Sequence, residues 1–213
     1  MPTKKTSYPA DLQIDYPGKL DRVSTFFRLI WAIPAFVIVS LLSSTDMTVY
    51  TNEAGRQISQ SSGGIMAGLF AATVLMILFR QRYPRWWFDF ALELNRFSMR
   101  VSAYLLLLTD KYPSTVEKQS VQLDLAYPDV KKDLNKWLPL VKWLLAIPHY
   151  LVLIVLGLAA FVVTIIAWFA ILFTGRYPKD LFNFVVGVSR WGWRVTAYAF
   201  LLSTDKYPPF SLK

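Results

Sequence analysis

Apolar residues fall into three long blocks, at Val23 to Leu42, Gly63 to Phe79 and Trp137 to Phe173, with polar segments between them. The first is interrupted only by a few hydroxyls and by Arg28 near its start. At 1.5 Å per residue it is long enough to cross a hydrocarbon layer of about 30 Å. The second sits at the lower limit for a span and stops at Arg80-Gln81-Arg82. The third, broken only by Lys142, His149 and a few small residues, would reach roughly 55 Å as one helix. That exceeds a single crossing, so the pattern predicts two spans, about 137–156 and 157–173, with a turn near Gly157. Pro34 and Pro148 lie inside apolar runs, where loss of an intrahelical donor predicts helix kinks.

Two further segments have helical rather than continuous periodicity. In 85–108, Asp89, Glu93, Arg96 and Arg100 form one stripe, and Trp86, Phe90, Phe97, Val101 and Tyr104 fall elsewhere on the wheel. Charged groups at a bilayer centre cost a few kcal/mol each, so this segment reads as an amphipathic helix lying in the interface. The segment 179–202 follows the same plan, with Asn183 and Gly187 in place of the acids and Arg190 and Arg194 retained. Leu12 to Asp15 and Val121 to Tyr127 alternate apolar and polar residues and predict short extended or β segments. Residues 43–62 read as a hydrophilic loop.

These elements occur twice. Aligning Arg82-Tyr83-Pro84 with Arg176-Tyr177-Pro178 brings Arg96 onto Arg190, Arg100 onto Arg194 and Tyr104 onto Tyr198. One inserted residue later, Thr109-Asp110-Lys111-Tyr112-Pro113 meets Thr204-Asp205-Lys206-Tyr207-Pro208. Upstream, Trp31-Ala32-Ile33-Pro34 matches Leu145-Ala146-Ile147-Pro148, and the first copy has the longer loop between its apolar runs. The domains are therefore a first repeat, 1–114, with spans at about 23–42 and 63–79 and an interfacial helix at 85–108, and a second repeat, 115–213. The second holds spans at 137–156 and 157–173 and an interfacial helix at 179–202. The expected fold is an all-α membrane protein with four transmembrane helices, arranged as two parallel-repeat hairpins with short cytoplasmic β segments.

Composition supports the membrane reading. The chain is 54% hydrophobic and 16% aromatic, with eight Trp, and aromatic rings collect where hydrocarbon meets headgroups. The formal charge of +9 suits an anionic membrane surface, and the long apolar runs favour that over nucleic acid. Basic residues at the span ends, Arg80, Arg82, Lys131, Lys136, Arg176 and Lys179 among them, fall on one face. The positive-inside rule makes that face cytoplasmic, with both termini inside the bacterial inner membrane.

Candidate chemistry is sparse. The absence of Cys excludes disulfides and thiolate metal sites, and no Gly-rich phosphate loop, GxSxG elbow or metal-spaced cluster occurs, so neither cofactor nor metal is expected. His149, the single histidine, is matched by Ala35 in the first copy and reads as a packing or interfacial residue rather than a proton relay. The binding candidates are Arg96, Arg100, Arg190 and Arg194, with Arg82 and Arg176 at the helix exits, because guanidinium groups match phosphate oxygens bidentately. Arg190 and Arg194 lack local acids and so stand out as an anion site. The competing reading is that all four helix arginines bond backbone carbonyls or snorkel to water.

Ala146-Ile147-Pro148-His149-Tyr150, the run from Trp168 to Pro178, Arg194 to Tyr198 and Thr204 to Phe210 together resemble a bacterial family, domain of unknown function 4389, and the likeness returns in weaker form over 27–113. The resemblance implies an integral membrane protein and supplies no biochemical activity. The expected function is a non-enzymatic accessory or scaffold subunit that binds anionic lipids, a protein partner or another copy of itself. One alternative is a small transporter or lipid-handling protein with a site between the repeats. Another, a lipid enzyme, would use Asp110 or Asp205 as base.

Overall fold

The computed structural model describes residues 8–43, 46–51, 57–62, 64–115, 117 and 119–213. In chain order it contains β1 (Ala10–Ile14), α1 (Arg22–Ser43), β2 (Asp46–Thr51), β3 (Gln57–Ser62), α2 (Ile65–Leu75) and α3 (Arg85–Leu105). The second half holds β4 (Val121–Leu125), α4 (Val130–Asp133), α5 (Lys142–Leu145), α6 (Ile147–Thr174) and α7 (Lys179–Ala199). A π-helical turn, Met76–Arg80, prolongs α2, and a 3-10 turn, Leu138–Leu140, precedes α5.

Most element types follow the apolar pattern, and two corrections matter. The turn expected near Gly157 is absent, and α6 runs unbroken from Ile147 to Thr174, roughly 42 Å. Nothing lies within 4 Å of where a Cβ on Gly157 would point. The third apolar block is long because a 3-10 turn and α5 precede the helix, so it is not two spans. Among the described residues two helices, α1 and α6, are long and apolar enough to cross a membrane, and four are not supported. The second correction is the loop at 43–62, which contains an antiparallel hairpin pairing Asp46 with Ser62 through Thr51 with Gln57. Thr48, Val49, Tyr50 and Ile58 favour extended backbone, which polarity alone concealed. This hairpin separates α1 from α2 at the place where the second half runs through as α6.

The prolines behave differently. α1 remains one helix through Pro34. Pro148 sits in the first turn of α6, where its missing N–H is not needed, so it begins a helix rather than bending one. The matched helix exits differ in composition yet share a shape: Gly175 takes φ 73° and Gln81, without glycine's freedom, takes φ 46°.

Packing joins the two halves. β1 and β4 form an antiparallel pair whose register, Ala10 with Leu125 and Ile14 with Val121, is symmetric about Leu12 opposite Leu123. Both leucines are buried, as the alternation of apolar residues requires. The strands are exchanged: β1, from the first half, packs on α7 of the second, and β4 packs on α3 of the first. Tyr16 hydroxyl donates to the Tyr177 carbonyl at 2.5 Å, and Tyr127 hydroxyl donates to that of Tyr83, matched bonds that again cross between halves. α7 returns antiparallel along α6, since a short turn joins them and Trp191 reaches back to His149, with Tyr150 beside Phe200. α3 returns along α1 in the same sense, placing Tyr104 beside Arg28, while Ala35, Phe97 and Val101 form one buried cluster.

Candidate functional site

The ends of α3 and α7 are bolted to the starts of α1 and α5 by matched buried cations. Arg28, 2% exposed, ion-pairs with Asp110 and donates to the carbonyls of Thr109 at 2.6 Å and Tyr104 at 3.1 Å. Its guanidinium lies 4.5 Å from the Tyr104 ring centre. Lys142, fully buried, lies 2.6 Å from an Asp205 oxygen, donates to the Thr204 carbonyl at 2.8 Å and faces Tyr198 at 5.3 Å. Burial pushes the Lys142 pKa down, and Asp205 opposes that shift. The second carboxylate oxygens accept backbone N–H groups, from Asp21 at 2.7 Å and from Asn135 at 2.6 Å. Asp21 and Asn135 in turn accept from the amides of Val23 and Trp137.

Asp110 and Asp205 thus spend both oxygens on the protein, which removes support from the reading of either as a catalytic base. The sequence held the signal for these latches, since the alignment that pairs Trp31 with Leu145 also pairs Arg28 with Lys142. Its weight is visible only once each cation is seen to be buried against the matching Asp.

The four helix arginines are engaged as the carbonyl-bonding alternative expects. Arg96 donates to the Leu123 carbonyl at 2.9 Å and pairs with Glu93 at 2.5 Å and Asp124 at 3.7 Å. Arg100 donates to the Ser114 carbonyl at 2.6 Å. Arg190 donates to the carbonyls of Leu12 at 2.9 Å and Leu212 at 3.3 Å, with Asp11 at 4.0 Å. Arg194, 3% exposed, donates to the Ser211 carbonyl at 3.4 Å, and burial together with neighbouring Arg190 pushes its pKa down. The expected free anion site at Arg190 and Arg194 is therefore corrected: the exchanged strand and the C-terminal tail supply the acceptors that local sequence lacks. The apolar face of α7 is likewise covered by the protein itself, with Phe182, Val185, Trp191, Val195 and Tyr198 buried, so it is not laid against lipid.

Arg82 and Arg176 remain exposed at the exits of the π turn and of α6. Beside Arg82 a cavity of about 720 Å³ is walled by Arg80, Arg82, Arg85, Tyr127 and Lys131. A second, of about 710 Å³, lies between α1, α3 and the segment 112–115, against Ala35, Phe97 and Glu93. The matching groove in the second half is filled: His149 replaces Ala35 and stacks on Phe210 at 4.0 Å, accepting from Trp191 Nε1 at 3.1 Å. Leu212 there presses on Gly187 so closely that an added Cβ would meet it at 2.9 Å. His149 is a packing residue in this arrangement. A third cavity, of about 380 Å³, lies between the halves, walled by Phe70, Thr73 and Asn95 from one and Thr196, Phe200 and Leu201 from the other.

Among the described residues no cluster of three or more His, Asp or Glu is arranged to hold a metal. No curated protein and no solved structure matches the chain. The sequence resemblance is borne out over the second half alone, as a single copy: residues 139–211, from the 3-10 turn before Lys142 to Ser211, match the family described as Domain of unknown function (DUF4389).

Proposed function

We propose that this chain is a non-enzymatic accessory or scaffold protein that lies in one leaflet of a bacterial inner membrane, on the cytoplasmic side, and prefers anionic lipid. In this reading α1 and α6 run in the membrane plane and do not cross it. The supporting observation is where the polar sheet sits. Arg190, halfway along α7, holds Leu12 of β1, and Trp193 donates to the Asp124 carbonyl of β4 at 3.2 Å. Trp191, Val195 and Tyr198 occupy the roughly opposite face of α7, toward α6.

Upright α6 and α7 would therefore bring the sheet to mid-bilayer depth, with Asp124 side chain 76% exposed. A charge there costs about 2.5–3.5 kcal/mol or more, and open strand edges add unsatisfied backbone groups. With the helices in the plane, the sheet is in water. The outward faces of α1 and α6, including Phe36, Leu41, Ile154, Phe161 and Phe169, enter the acyl boundary instead. The 1–114 segment acts as a second, diverged copy of the matched domain, which the paired latches and the symmetric sheet support.

The chain has no Cys, so single cysteines report orientation directly. With thiols at Lys136, Asp124 and Thr174, an impermeant reagent is expected to modify all three from one side of sealed vesicles. Modification of the two ends of α6 from opposite sides would refute the in-plane arrangement. A second reading, lipid handling between the repeats, is favoured by the apolar cavity between the halves. It requires bound lipid that Phe70→Trp, by filling that cavity, displaces.

A further inference from the structure

We propose that the corner between the exit of α2 and α4 binds a phosphate group, that of an anionic phospholipid headgroup; this assignment deepens the in-plane reading and rests on it. The cavity there carries Arg80, Arg82, Arg85 and Lys131 and one carboxylate, Asp129. Asp129 is already committed, pairing with Lys132 at 3.4 Å and accepting from the Lys131 amide at 3.3 Å. Arg85 lies 4.7 Å from the Tyr127 ring centre and pairs with Asp89 at 3.4 Å. Arg80, Arg82 and Lys131 have no ion-pair partner among the described residues. Three unpaired cations around one concavity suit a dianionic or monoanionic phosphate, which guanidinium groups grip through paired N–H donors.

The internal repeat provides a control. At the matching corner of the second half, Thr174 and Gly175 stand where Arg80 and Gln81 do. That corner is closed by the chain entering α1: Leu20 N–H donates to the Gly175 carbonyl at 2.9 Å, and Arg22, the first residue of α1, donates to the Phe173 carbonyl at 3.0 Å. The Arg22 guanidinium also packs 3.7 Å from where a Cβ of Gly175 would be. At the corner of the first half the corresponding segment, contributed by the second half, contains α4, which brings Lys131 to the wall. Two departures from the repeat at this corner, Arg80 and the α4 segment with Lys131, make it more basic.

A lipid, rather than a soluble phosphate, is indicated by what flanks the cavity. Phe79 is 77% exposed and Trp86 71% exposed, on either side of the arginines. An exposed Trp beside cations marks headgroup depth, where acyl chains meet the rings and phosphate meets the guanidinium groups.

The test compares two double variants that remove equal charge, Arg80→Gln with Arg82→Gln and Arg176→Gln with Lys179→Gln, all at exposed positions. Full-length protein is added to phosphatidylcholine vesicles with and without phosphatidylglycerol, and circular dichroism verifies the fold of each variant. The first pair is expected to weaken binding to phosphatidylglycerol vesicles by roughly tenfold more than the second, beyond the generic surface-charge loss both share. Equal losses would overturn the site, leaving only diffuse charge attraction. Inorganic phosphate bound at these arginines in detergent, with no preference for phosphatidylglycerol over phosphatidylcholine vesicles, would overturn the headgroup assignment. Failure of the unaltered protein to bind phosphatidylcholine vesicles at all would instead strike the in-plane reading.

Discussion

Lys142 illustrates how little of a buried charge can be judged from its own neighbourhood in the chain. An ammonium with no exposure is tolerable because Asp205 and the Thr204 carbonyl meet it, and removing either charge alone strands the other. Asp205→Asn is therefore expected to destabilise the protein by about 3–5 kcal/mol, whereas Lys142→Met with Asp205→Asn together cost much less. Thermal unfolding in detergent of the single and double variants measures the difference, and additive losses would show that the two residues act independently. Tyr83 and Tyr177, both buried at the helix exits, provide a pH signature. Burial raises each from the ordinary 10.0 to about 12. Because the folded state favours the protonated phenols, their contribution is complete below pH 10 and is lost as pH rises toward 12. Tyrosinate absorbance during alkaline titration is expected to show late ionisation that Tyr83→Phe and Tyr177→Phe each reduce.

At the scale of elements, α6 decides between one helix and two. A turn at Gly157 would need glycine's freedom, but a continuous helix with open space around that position gains from a side chain. Gly157→Ala is expected to stabilise the protein by about 0.5–1 kcal/mol, read as a higher unfolding midpoint. Destabilisation would restore the two-span reading. The amphipathic helices teach a related lesson, since their periodicity correctly located α3 and α7 but assigned their apolar faces to lipid. The wheel states which face must be covered. It does not state whether lipid or another part of the chain covers it, and for α7 the cover is α6 on one side and β1 on the other.

The whole molecule is an exchange of strands between two halves, and this limits how it can be divided. Without the second half, α3 loses β4 and Arg96 loses the Leu123 carbonyl; without the first, α7 loses β1 and Arg190 loses that of Leu12. Residues 1–114 and 115–213 expressed separately are expected to be unstable and to copurify as a stable complex when expressed together. Recovery of either fragment alone as a folded, protease-resistant species would mean the exchange contributes little. The same exchange places the sheet over the middle of α7, the observation on which the proposed in-plane orientation rests.

Sequence by itself determined the local elements, because helical and strand periodicities are written along the chain, and it supplied the alignment between the halves from which a second, diverged copy is proposed. β1, α1, α3, β4 and α7 lie close to where the pattern of apolar positions puts them, and the exposed Arg82 and Arg176 are where the helix exits predict. Tertiary structure alone decided the partners. Arg28 meets Asp110, and Arg190 meets Leu12, across separations that no local pattern encodes. An apolar run of a given length is equally consistent with one helix, a bent helix or two. What selects among these is the arrangement of neighbours that can bury one face while leaving the other exposed, and that arrangement exists only in the folded chain.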